Sequence, residues 1–196
     1  MAEETGNITR IIACGVFKPA LDYLKLEDRY PNLRITYLRS NLHLIPQQLQ
    51  KFLMEEIAIA QERKERVICL YGDCFPDIDK FCQHFGVTKV PGHYCHEMLL
   101  GSEQFCQILD ETTGTYFTES DLVSNFKEYC LNPLELDDEE MRKYYFNHYR
   151  KLLHVRQPSD PDLESEVTEL AEFLNLTWEI RDADYSHLEK KLTELI

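Results

Sequence analysis

The chain has 196 residues, about one domain's worth, and 43% of them are hydrophobic, so it can bury a core and a disordered chain is excluded. A formal net charge of −14, with no Lys/Arg stripe, argues against nucleic acid as a partner. The apolar runs are strand-sized, and Met1-Ala2-Glu3-Glu4 is acidic where an export signal would be basic, so an acidic cytoplasmic protein with no membrane span is expected.

Ile8 to Cys14 is a nearly continuous apolar run and predicts a buried strand of the parallel type, ending at Cys14-Gly15. Pro19 to Leu26 predicts a short amphipathic helix opened by proline. Leu33 to Leu38, rich in β-branched and aromatic residues, predicts the second strand. A loop from Ser40 to Pro46, holding His43, leads into a long helix over Pro46 to Lys64. Its apolar residues Leu49, Phe52, Leu53, Ile57 and Ala60 recur at helical spacing.

Val67 to Tyr71 predicts the third strand, and Gly72-Asp73-Cys74 turns off its end. After a further helix, a short strand at Thr88 to Val90 is broken by Pro91-Gly92. His93-Tyr94-Cys95-His96-Glu97 follows, and Glu97 to Leu109 predicts a helix with Met98, Leu99, Phe105 and Ile108 inward. Gly114 to Thr118 is a turn and a short extended piece, and Asp121 to Cys130 a helix. The acidic stretch Asn132 to Glu140 precedes an aromatic helix whose Tyr144, Tyr145, Phe146 and Tyr149 are expected in the core. Leu152 to Arg156 predicts a strand, with Asp160 or Asp162 capping the helix that runs to Leu174. A strand at Thr177 to Ile180 and a helix from Tyr185 close the pattern. Strands alternating with helices predict an α/β fold: one three-layer domain over 1–196, with a mostly parallel sheet and helices on both faces.

Seven cysteines without an export signal are expected to stay reduced. Cys69, Cys82, Cys106 and Cys130 lie in strand or helix patterns and are assigned to the core. Cys14, Cys74 and Cys95 each follow a strand, and His43 follows another. Parallel strands deliver all four to one sheet edge, where open α/β sheets bind ligands. Three thiolates and an imidazole form a tetrahedral zinc set, with Zn–S near ~2.3 Å. The same thiolates could instead hold an iron–sulfur cluster. Asp73, Glu97, His93 and His96 are candidates for supporting the ligands or for acid–base work, and His93, in an HxC pair with Cys95, is an alternative ligand to His43. Two other readings stand beside this one. The first is a metal-free small-molecule-binding or protein-interaction module whose pocket the cysteines merely line. The second is a cysteine nucleophile at Cys74 or Cys95 activated by His96. No phosphate-binding Gly-rich loop, GxSxG elbow or HExxH motif occurs, which removes kinase, serine hydrolase and zincin readings.

The order of ACG, LHxxP, YGDC, PGxxCxE with LLG, GTYF, YFxHYR and DPxL resembles the family called domain of unknown function 1638, from Ile11 to about Leu188. The resemblance implies a cytosolic α/β protein associated with corrinoid-dependent methyltransferase systems. A corrinoid protein or methyltransferase is then the implied partner, and a corrinoid an implied ligand or substrate. The family's cysteines fall on Cys14, Cys74 and Cys95, its loop histidine on His43 and its acidic residue on Glu97. The chain departs from the family pattern at Phe75 and Tyr94.

Overall fold

The computed structural model describes residues 8–196; Met1-Ala2-Glu3-Glu4 lies outside them. In chain order the elements are β1 (Thr9–Cys14), α1 (Lys18–Leu24), α2 (Leu26–Arg29), β2 (Leu33–Leu38), α3 (Pro46–Glu62), β3 (Arg66–Leu70), α4 (Ile78–His84) and β4 (Thr88–Lys89). They continue with α5 (Cys95–Leu100), α6 (Ser102–Glu111), β5 (Thr115–Thr118), α7 (Ser120–Ser124), α8 (Glu139–Phe146), β6 (Lys151–Arg156), α9 (Glu164–Leu174), β7 (Thr177–Asp182) and α10 (Ser186–Thr193). The expected α/β class holds: every described strand pairing is parallel, and helices connect the strands. The strands divide between two sheets, of four and three strands. The chain likewise forms two compact units, one running to Cys95 and including Leu188–Ile196, the other His96–His187.

In the first unit the strand order is β2-β1-β3-β4. β1 is buried along nearly its whole length, as its unbroken apolar run demands. The chain leaves β1 to one side for β2 and returns on the other for β3, so the topological switch lies between β1 and β3. Ala13 pairs with Leu70, which brings Cys14 and Tyr71 next on their strands at the carboxyl edge. Helix α3 buries Leu49, Leu53, Ile57 and Ala60. Phe52, expected inward, is exposed because it lies beside the narrow stripe those four define.

The second unit carries the order β5-β6-β7 over a core built from Phe126, Leu136, Phe146, Leu152, Val167 and Ala171. The helix expected over Glu97 to Leu109 is two helices, divided at Gly101, whose φ of 87° no ordinary side chain adopts comfortably. Met98, Leu99, Phe105 and Ile108 are buried as expected, but Cys106 is exposed, since it falls on the outer face of α6. The aromatic helix is also only partly core. Phe146 and Tyr149 pack against Tyr116, while Tyr144 and Tyr145 face solvent. Neither Asp160 nor Asp162 caps α9 in the expected way: Asp162 accepts from Glu164 N, and Asp160 holds Ser120 Oγ and Gln157 N. No helix among the described residues is long and apolar enough to cross a membrane.

Candidate thiol site

Cys14 ends β1 and is buried, whereas Cys74 and Cys95 are half-buried. Cys74 sits in a tight turn past β3, its amide donating to Gly72 O at 2.8 Å, and Cys95 opens α5. The three sequence-distant thiols converge, Cys95 lying close enough to both Cys14 and Cys74 for each to act on its ionisation. The Gly72 backbone favours the ionised form of Cys95, against the larger effect of Cys14. The three thiols lie at the carboxyl edge where the sheet order reverses, the crevice in which open parallel sheets bind ligands.

Two glycines make this convergence possible. A Cβ on Gly72 would stand 2.6 Å from His93 O and 3.1 Å from Tyr94 Cα, so the turn after β3 lies flat against the loop that carries Cys95. Asp73 N adds a hydrogen bond to His93 O at 2.7 Å. Gly15 plays the same part after β1, where a Cβ would meet Leu38 O at 3.1 Å and Ser40 N at 3.2 Å.

Crowding the thiols sets their protonation. The neighbouring Cys95 sulfur, then burial, push the Cys74 thiol up, and the neighbouring Cys14 sulfur pushes Cys95 up. These are the opposite of the depressed values that mark a nucleophilic cysteine. Tyr71 stands among them, 1% exposed, and its hydroxyl has no hydrogen-bond partner. Burial, then the surrounding thiols of Cys14, Cys69, Cys74 and Cys95, raise that phenol strongly. Cys69 and Cys82 form a second, fully buried thiol pair behind these three. Removing an unpaired buried hydroxyl relieves a desolvation cost of ~1–3 kcal/mol. Tyr71→Phe is thus expected to leave metal-free protein as stable or up to ~1 kcal/mol more stable in urea unfolding; a loss beyond ~1 kcal/mol would contradict that reading.

Of the other expected residues, His43 lies in the 3-10 segment after β2, with Nδ1 bonded to Ser40 O at 2.7 Å. His93 Nδ1 donates to Asp73 Oδ2 at 2.8 Å. Burial works to raise the Asp73 carboxyl, but the bonds from His93 and Lys89 outweigh it and hold the group below its ordinary range. His96 stacks on Phe117, and Glu97 accepts from Ser102 Oγ at 2.8 Å. Among the described residues, no three His, Cys, Asp or Glu side chains are arranged as ligands of a metal ion. Tyr71 and Lys89 were not singled out by sequence. Tyr71 read as the last residue of an apolar strand, and Lys89 as one lysine in a short one.

The fold and this edge define a parallel α/β protein with three thiols gathered at the carboxyl edge of its first sheet. The chain belongs to the family described as a protein of unknown function, DUF1638, which it matches over residues 37–192. The matched stretch contains His43, Cys74 and Cys95 and begins after Cys14. No curated protein and no solved structure matches the chain.

Proposed function

We propose that the first unit binds a soft metal ion, zinc, through the thiolates of Cys14, Cys74 and Cys95 and one imidazole. The observation that carries the reading is the meeting of three thiols at the β1/β3 switch beside the unpaired hydroxyl of Tyr71. The neighbouring thiols of Cys74 and Cys95 resist ionisation, because each is raised by the sulfur beside it. A bound cation removes that penalty and takes the protons' place. Tetrahedral zinc with ~2.3 Å bonds sets its sulfurs roughly 3.8 Å apart, so binding would require the three thiols to turn toward one shared centre. Soft sulfur donors favour zinc or iron over magnesium and calcium.

Zinc held in this way would supply Lewis acidity only to a thiol or water that displaces one of its four ligands or adds as a fifth. The chain's own contribution is the Tyr71 hydroxyl as a hydrogen-bond donor and the buried ammonium of Lys89 near the thiols. The resemblance drawn from the motifs supports a place for this site in corrinoid-linked methyl transfer or its maintenance. Zinc added to metal-free protein is expected to raise the thermal midpoint, and a strong chelator to reverse the rise. No shift with a tenfold excess of zinc would remove the reading.

A further inference from the structure

We infer that His93 is the imidazole of this site, binding through Nε2, with Asp73 and Lys89 as the groups that position it; the inference rests on the zinc reading above. The spacing of strand ends pointed to His43, but the contacts favour His93. Its Nδ1 donates to Asp73 Oδ2 at 2.8 Å, which makes Nε2 the nitrogen with the lone pair. Metal-binding histidines characteristically carry such a carboxylate behind the ring, where it fixes the tautomer and strengthens the ligand.

The carboxylate is itself held. Asp73 Oδ1 takes Lys89 Nζ at 3.1 Å, and the same ammonium reaches Asp79 at 3.4 Å and Gly92 O at 3.1 Å. The Lys89 side chain is 8% exposed, so its charge is retained out of water only because these oxygens surround it. The result is a chain of ionic contacts from the edge of β4 to the imidazole. Backbone geometry brings that imidazole's loop to the thiols. Gly72, Asp73 and Cys74 are consecutive: the first lies against His93 O, the second pairs with the His93 ring, and the third is one of the proposed ligands. Cys95 follows two residues after His93. His43 is backed by a backbone carbonyl, that of Ser40 at 2.7 Å, rather than by a carboxylate, and so lacks the charge that strengthens His93 as a ligand.

The test uses the full chain, stripped of metal and titrated anaerobically with Co(II), read by thiolate-to-cobalt absorption and by competition with a chelator. Each variant's metal-free thermal midpoint serves as the folding control. His93→Ala is expected to weaken Co(II) binding at least ~100-fold and to change the visible bands. Asp73→Asn should weaken it ~10–100-fold with the bands kept, the signature of a positioning residue. His43→Ala should leave affinity within about threefold, well short of a lost ligand. Loss of affinity in His43→Ala with His93→Ala unchanged would overturn the inference and leave the zinc reading standing. A wild-type chain with no thiolate-to-cobalt absorption would remove both.

Discussion

Replacing Gly72 with alanine should separate the two loops that make the thiol site. The added methyl group would meet His93 O at 2.6 Å, Tyr94 Cα at 3.1 Å and the His93 carbonyl carbon at 3.2 Å, all backbone atoms with nowhere cheap to go. Overpacking of this kind costs ~1–3 kcal/mol. For a chain of this size that lowers the thermal midpoint by roughly 2–12 °C. The same change disturbs the Asp73 N to His93 O bond and the Gly72 backbone beside Cys95, so Co(II) affinity should fall together with stability. Gly86→Asn is the matched control. Nothing lies within 4 Å of a Cβ there, and asparagine tolerates a φ of 66°. It should stay within ~0.5 kcal/mol of wild type. A Gly72→Ala protein with wild-type stability and affinity would show that the close approach is not needed.

The second large effect belongs to the second unit and to pH. Glu119 caps α7 by accepting from Asp121 N at 2.7 Å and Leu122 N at 2.9 Å, yet it is 6% exposed. Burial, opposed by those amides and aided by the charges of Asp121 and Asp160, raises its carboxyl to about 7. Because the folded value exceeds the unfolded one, the native state binds the proton more tightly. Its contribution to stability is fully present below pH 4.5 and lost as pH climbs through about 7. The rise from 4.5 to about 7 is worth ~3 kcal/mol. His154 works the other way: burial lowers its value, so its charging destabilises the fold toward acid. Glu119→Gln removes the first term and leaves the second. Urea unfolding followed by Trp178, the chain's one tryptophan and part of β7, should give stability that falls between pH 4.5 and 7 in wild type relative to the variant. Equal slopes for the two proteins would refute the buried-acid account.

Strand positions in the first unit were legible because buried parallel strands are written as unbroken apolar runs, as Ile8 to Cys14 and Val67 to Tyr71 are. The turns after them were legible through Gly15 and Gly72. What sequence could not convey is that those glycines are required by neighbouring backbone rather than by their own dihedral angles, since close approach depends on residues twenty or more positions away. The division into two sheets was hidden for a similar reason. β4 and β5 are short, and nothing local to Thr88-Lys89 or Thr115–Thr118 states which strand each will join. Cys106 and Phe52 were misplaced because each sits one position from a true core residue, where a helix turns its face by about 100°. The placing of Cys14, Cys74 and Cys95 at strand ends was read from topology alone, whereas the pairing of Lys89 with Asp73 and the unpaired Tyr71 hydroxyl needed coordinates.

The most direct test of the thiol site is elemental analysis of wild-type protein purified without oxygen, beside Cys95→Ser. The variant removes the sulfur that lies close to both of the others. Close to one zinc per chain in wild type, falling to background in the variant, is the expected result. Equal trace metal in both proteins would contradict a metal site here, and iron with acid-labile sulfide would replace zinc with a cluster.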